Sequence, residues 1–184
     1  MKKVLLLFSL IIFFAIGLSA IAYETIVIDF PPRTKWVAAY YKHIGTEAIL
    51  QYIPDWQTYD DWKQTIIVHS YKDNLMPASQ LSDMLVAQME VQNPTAAYRY
   101  LRYTGVDAIA VRMTNDYKGI KGHGEIFRTT KCAEGRMTIQ YIDRDKENFK
   151  RSYGYWLKVI REARTYNSYW RDDRIMNKSD RYEL

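Results

Sequence analysis

The stretch "AAYRYLRYTGVDAIAVRMT", residues 96–114, decides how the chain is read. Tyr98, Arg99, Tyr100, Leu101, Arg102 and Tyr103 put three tyrosines and two arginines into six positions. That composition suits a nucleic-acid or lipid surface, but the alternation also suits a β-strand. Thr104-Gly105 has the form of a two-residue hairpin turn with glycine supplying positive φ. Folding there sets Arg102 opposite Asp107, Tyr100 opposite Ile109 and Tyr98 opposite Val111. One face then carries Tyr98, Tyr100, Ile109, Val111 and Met113. The other carries Arg99, Leu101, Tyr103, Ala108, Ala110 and Arg112. A three-residue turn would exchange the two faces, because a slip of one residue reverses every side chain. Tyrosine suits a half-buried sheet, since its ring packs while its hydroxyl reaches a polar rim.

The rest of the chain extends that sheet. Trp36–Tyr41 and Ala48–Ile53 read as a strand pair about the turn at residues 43–46, and residues 54–61 as a loop. Residues 62–71 alternate, with Trp62, Gln64, Ile66 and Val68 facing one way. Leu81, Met84, Leu85, Gln88 and Met89 follow helical spacing, predicting a helix over 79–92 with Ser79 as its N-cap and Asn93-Pro94 as its stop. Residues 126–130 and 137–143 predict another hairpin, turning at Ala133-Glu134-Gly135. Phe149, Tyr153, Trp156, Leu157, Ile160 and Arg164 mark the inner face of a helix over 147–165. Three strands, a helix, four strands and a helix predict an α+β fold: a mostly antiparallel sheet with two helices packed on one face.

The ends of the sequence differ from this middle. Lys2 and Lys3, an apolar run over residues 4–16, and Ala20 and Ala22 before Tyr23 form the plan of a secretory signal peptide over 1–22. An uncleaved anchor is the rival, since no charge falls between Lys3 and Glu24. The expected organisation is a signal peptide, one domain over 23–166 and a polar tail over 167–184. Loss of Lys2 and Lys3 lowers the formal net charge from +5 to about +3. That mild, dispersed excess disfavours nucleic acid as a partner, because dedicated binders carry a clustered basic face. With the single Cys132 no internal disulfide forms, so the core alone must hold the domain.

Several segments carry a resemblance. "ILQYIPDWQTYDDWKQTIIVHSY" (49–71), "EIFRTTKCAEGRMTIQYIDR" (125–144) and "YGYWLKVIREA" (153–163) resemble the Mog1/PsbP-like α+β proteins and small exported proteins of Gram-negative bacteria with that topology. In such families a Pro-containing loop leads to a Trp and a strand, and a Gly-turned hairpin precedes a final helix containing Trp. Pro54, Trp62, Gly135 and Trp156 stand in those places here. The resemblance implies a binding or accessory module rather than an enzyme, and it transfers no functional residue.

Motifs for chemistry are sparse. No H-x-H, H-E-x-x-H or paired-cysteine spacing is present, so no metal and no cofactor are expected. "YKGIKGHGE" (117–125) lacks the order of a dinucleotide fingerprint and reads as a mobile hairpin loop. Lys118, Lys121 and His123 nevertheless make it the candidate site for an anionic ligand. Tyr166, Tyr169, Trp170 and Arg171 give the tail the composition of a protein-interaction hot spot. The leading expectation is therefore a secreted or periplasmic binding protein, a candidate type II secretion substrate, with an unknown protein partner. Anionic lipid is the second partner class. The alternative is a secreted hydrolase built on Cys132 with His43, His69 or His123 as base.

Overall fold

The structure, a computed structural model, describes residues 24–167. The proposed signal peptide and the tail residues Tyr169, Trp170 and Arg171 lie outside the described residues. Among the described residues nine strands and two helices follow in order: β1 (Glu24–Val27), β2 (Trp36–Ile44), β3 (Glu47–Pro54), β4 (Gln64–Lys72), α1 (Ala78–Gln92), β5 (Ala97–Tyr103), β6 (Asp107–Met113), β7 (Gly124–Cys132), β8 (Gly135–Asp143), α2 (Lys146–Glu162) and β9 (Arg164–Asn167). Seven strands form one antiparallel sheet in the order β2-β3-β4-β8-β7-β6-β5. The chain thus builds β2–β4, crosses by α1 to the far edge, and returns strand by strand until β8 pairs with β4. This mostly antiparallel α+β architecture is the predicted class.

The helices do not share one face, which corrects the expectation from sequence. Along β7, Gly124, Ile126 and Arg128 point one way and Phe127 and Thr129 the other, as strand alternation requires. Phe149 of α2 lies over Gly124, and Arg128 reaches carbonyls at the end of α2. On the opposite face Val86 of α1 packs with Phe127 and Ala110, and Ser82 bonds Thr129 at 2.9 Å. Both faces of β7 are therefore largely buried, and periodicity alone cannot assign a helix to a side of such a strand.

The main core lies under α2. Tyr141 and Trp156 stack at 4.1 Å and 16°, and Trp36 meets Trp156 edge-on at 5.3 Å. Ile66, Ile126, Ile139 and Ile160 fill the layer around them and are fully buried. Asp143 closes its polar end, accepting from Gln64 (2.9 Å), Tyr141 (3.0 Å) and Asn148 (2.6 Å). Asp145 caps α2 by accepting from the Glu147 and Asn148 amides. α2 ends at Glu162, short of the predicted 165. Its last predicted residues form β9, which pairs antiparallel with β1.

α1 buries Ala78, Leu81, Ser82 and Val86, whereas Met84 stays 42% exposed, so its inner face is rotated from the predicted one. The small Ala78 and Ser82 allow close approach to the sheet and carry no hydrophobic signal. Ser79 does not cap it; Pro77 holds that position without a side-chain bond.

The β5–β6 hairpin is also re-registered. Tyr103 opposes Ala108, Arg102 opposes Ile109 and Tyr100 opposes Ala110, with a bulge at Leu101. The central turn residues are Gly105-Val106, closed by Thr104 N–H donating to Asp107 O at 3.0 Å, and Gly105 is not at positive φ. All three tyrosines consequently face α1, and Arg99 and Arg102 face the α2 side. The extra bulge residue brings Tyr103 onto the same face as Tyr98 and Tyr100.

Candidate functional site

β5 is an edge strand, so one row of its backbone groups has no neighbour in the sheet. Tyr98, Leu101 and Tyr103 are 39%, 38% and 52% exposed along it. Two tyrosines are anchored: Tyr100 Oη donates to Asp83 Oδ1 at 2.7 Å, and Tyr103 Oη donates to the other carboxylate oxygen. Burial, reinforced by the Asp83 bond, pushes the Tyr100 hydroxyl well above the ordinary tyrosine range. For Tyr103 the Asp83 bond itself is the chief cause of a rise. Asp83 thus clamps β5 to α1 from one side and leaves Tyr98 and Leu101 at the edge.

On the other side of β5, Arg102 lies against a buried carboxylate. Asp107 accepts from Arg102 Nη1 at 2.7 Å and from Arg128 Nε at 2.6 Å. Arg128 Nη1 then reaches three carbonyls at the end of α2: Ile160 (3.2 Å), Arg161 (3.0 Å) and Ala163 (2.8 Å). Negative charge from Asp107 and from the helix C-terminus is in this way absorbed inside the protein.

The Gly-rich loop is tightly built. Lys118 and Gly119 take φ of 47° and 81° between the bridged Tyr117 and Ile120, a turn that favours glycine at its second position. A side chain on Gly122 would sit 2.6 Å from Thr114 O, and one on Gly124 would enter the Phe149 ring. The three glycines here serve a turn and two close approaches. Of the predicted anion site, Lys121 pairs with Asp116 at 3.0 Å and Lys118 lies 5.2 Å over the Tyr117 ring. The Gly122 amide, more than Lys121, holds the Asp116 carboxyl below its usual range. His123 turns inward, 3.2 Å from Arg112 Nη2 and 3.2 Å from Thr114 Oγ1. There Arg112 pairs with the fully buried Glu125, whose Oε1 has no hydrogen-bond partner. Sequence alternation gave no sign of this buried pair.

Cys132 is buried and lines a cavity of about 30 Å³ with His43, Ser70, Tyr71 and Glu134. That volume accommodates water rather than a substrate. His69 and Tyr71 stack nearby at 4.0 Å; Nε2 of His69 meets Glu47 at 3.0 Å and the Tyr71 hydroxyl meets Nδ1 at 2.9 Å. Burial lowers the His69 pKa against the opposing pull of Glu47, and burial raises Tyr71 to about 12. Among the described residues no three His, Cys, Asp or Glu side chains gather as metal ligands, and no helix is long and apolar enough to cross a membrane.

The sequence matches no protein-family model and no curated protein.

Proposed function

We propose that this is an exported binding or accessory protein of Mog1/PsbP-like architecture that recognises a partner protein through the β5 edge. The carrying observation is the open strand with Tyr98 and Leu101 exposed beside Arg99 and Arg102, an aromatic and arginine composition typical of interaction hot spots. Addition of an extended partner segment would satisfy the unpaired backbone row. Pro54 at the end of β3, Trp62 before β4, Gly135 in the β7–β8 hairpin and Trp156 inside α2 support the architecture. The A-x-A site before Tyr23 supports export, and N-terminal sequencing of the protein from its native cells should begin at Tyr23.

The binding test is photo-crosslinking in native cells, with a benzophenone residue at Tyr98 on β5 or at Ile44 on the opposite edge strand. A discrete adduct from Tyr98 and none from Ile44 is the expected result. Equal labelling, or none at Tyr98, overturns the edge assignment.

A further inference from the structure

A second concave surface runs beside β5 on its α2 side. Arg102, Gly154, Leu157, Lys158, Arg161 and Glu162 line a cleft of about 360 Å³. Gly154 leaves open space on the helix, since a Cβ there would meet nothing within 4 Å. Lys158 and Arg161 form no ion pair among the described residues, and Arg102 stays 47% exposed after binding Asp107 through Nη1. Arg99 faces the same side, because it opposes Val111 just as Arg102 opposes Ile109. The acids that would neutralise this ground are occupied: Asp107 holds two arginines, and Arg128 covers the carbonyl end of α2. With Arg102 paired to Asp107, the lining holds two cations outside any ion pair among the described residues, Lys158 and Arg161, against the single acid Glu162.

From this geometry we infer that the cleft receives acidic side chains of an extended partner segment added to β5. The inference rests on the β5-edge reading above and specifies the chemistry of its partner. A strand laid on β5 points every second side chain toward the α2 face, so carboxylates at alternate positions would reach Arg99, Arg102, Lys158 and Arg161. Small residues or β-branched ones would occupy the intervening positions, which face Tyr98 and the α1 side. Charge complementarity of this kind sets register and partner choice.

The test uses the full chain and a fluorescein-labelled Glu-Val-Glu-Val-Glu-Val peptide, followed by anisotropy at low and at high salt. A Lys-Val peptide of equal length and inorganic phosphate serve as comparators. Lys158→Glu/Arg161→Glu alters two exposed helix residues, and Leu101→Pro blocks the edge at a bulge, where proline is tolerated. The acidic peptide should bind in a salt-sensitive manner, the double variant should weaken it by about tenfold or more, and the Lys-Val peptide should not bind. Unchanged affinity in the double variant overturns the cleft assignment. If Leu101→Pro still abolishes that binding, the edge reading stands alone. Absence of acidic-peptide binding, or equal binding of the Lys-Val peptide, also overturns the inference, and the Tyr98 crosslink then judges the edge by itself. Binding of phosphate alone, with no peptide effect, marks a simple anion site and rejects an acidic strand.

Discussion

Asp107→Ala tests the join between sheet and helix. The carboxylate is 10% exposed and accepts two short bonds, at 2.6 Å from the 13%-exposed Arg128 and at 2.7 Å from the 47%-exposed Arg102. Hydrogen bonds to charged groups contribute about 1.5–3 kcal/mol each, and stranding a buried charge costs about 3–5 kcal/mol. Arg128 keeps its three carbonyl partners, which softens the loss to about 3 kcal/mol. Arg102→Ala removes a half-exposed arm of the same cluster and should cost about 1 kcal/mol or less. With a urea slope of about 2 kcal/mol/M, Asp107→Ala should lower the midpoint by about 1.5 M and Arg102→Ala by less than about 0.5 M. Equilibrium urea unfolding followed by tryptophan fluorescence measures both, since Trp36 and Trp156 sit in the core that α2 covers. Equal midpoints for the two variants would refute the claim that Arg128, and not Arg102, carries this connection.

Two further outcomes follow from the loops and the sheet face. His69 has a folded pKa below 6.5, chiefly through burial, so the unfolded chain binds the extra proton as pH falls below 6.5. Stability should therefore decrease from pH 6.5 down to the folded pKa, and His69→Gln should flatten that part of the profile; parallel thermal-melt profiles for the two proteins would contradict it. Gly122→Ala should cost about 1–3 kcal/mol, because its Cβ meets the Thr114 and Asn115 backbone at 2.6–2.9 Å. A wild-type melting temperature in that variant would show that the loop can move aside.

The order of the seven-stranded sheet's elements could be read from local signals because each hairpin announces itself. Gly135 marks β7–β8, Gly45 at φ 59° marks β2–β3, and Phe149, Trp156 and Ile160 outline the inner stripe of α2. What failed was information carried across the sheet. The face of β7 that receives each helix depends on which partners arrive, and both of its faces are largely buried. Leu101 bulges out of register, and no residue type there signals that. The short strands β1 and β9 stabilise each other only when residues 24–27 and 164–167 meet, so neither reads alone as a strand. The cleft was hidden for the same reason: Arg102 and Arg161 are ordinary surface arginines until β5 and α2 lie side by side.

The return of β8 to β4 has a consequence in time as well as in space. Residues 36–72 pair as a three-stranded meander, but Ile66 and Val68 find Tyr141 and Ile139 only after about seventy more residues have been made. The layer that joins them to Trp156 comes later still. A chain emerging from the ribosome therefore stays without its core until almost all of it is out. Folding is then a late, collective event governed by long-range pairing.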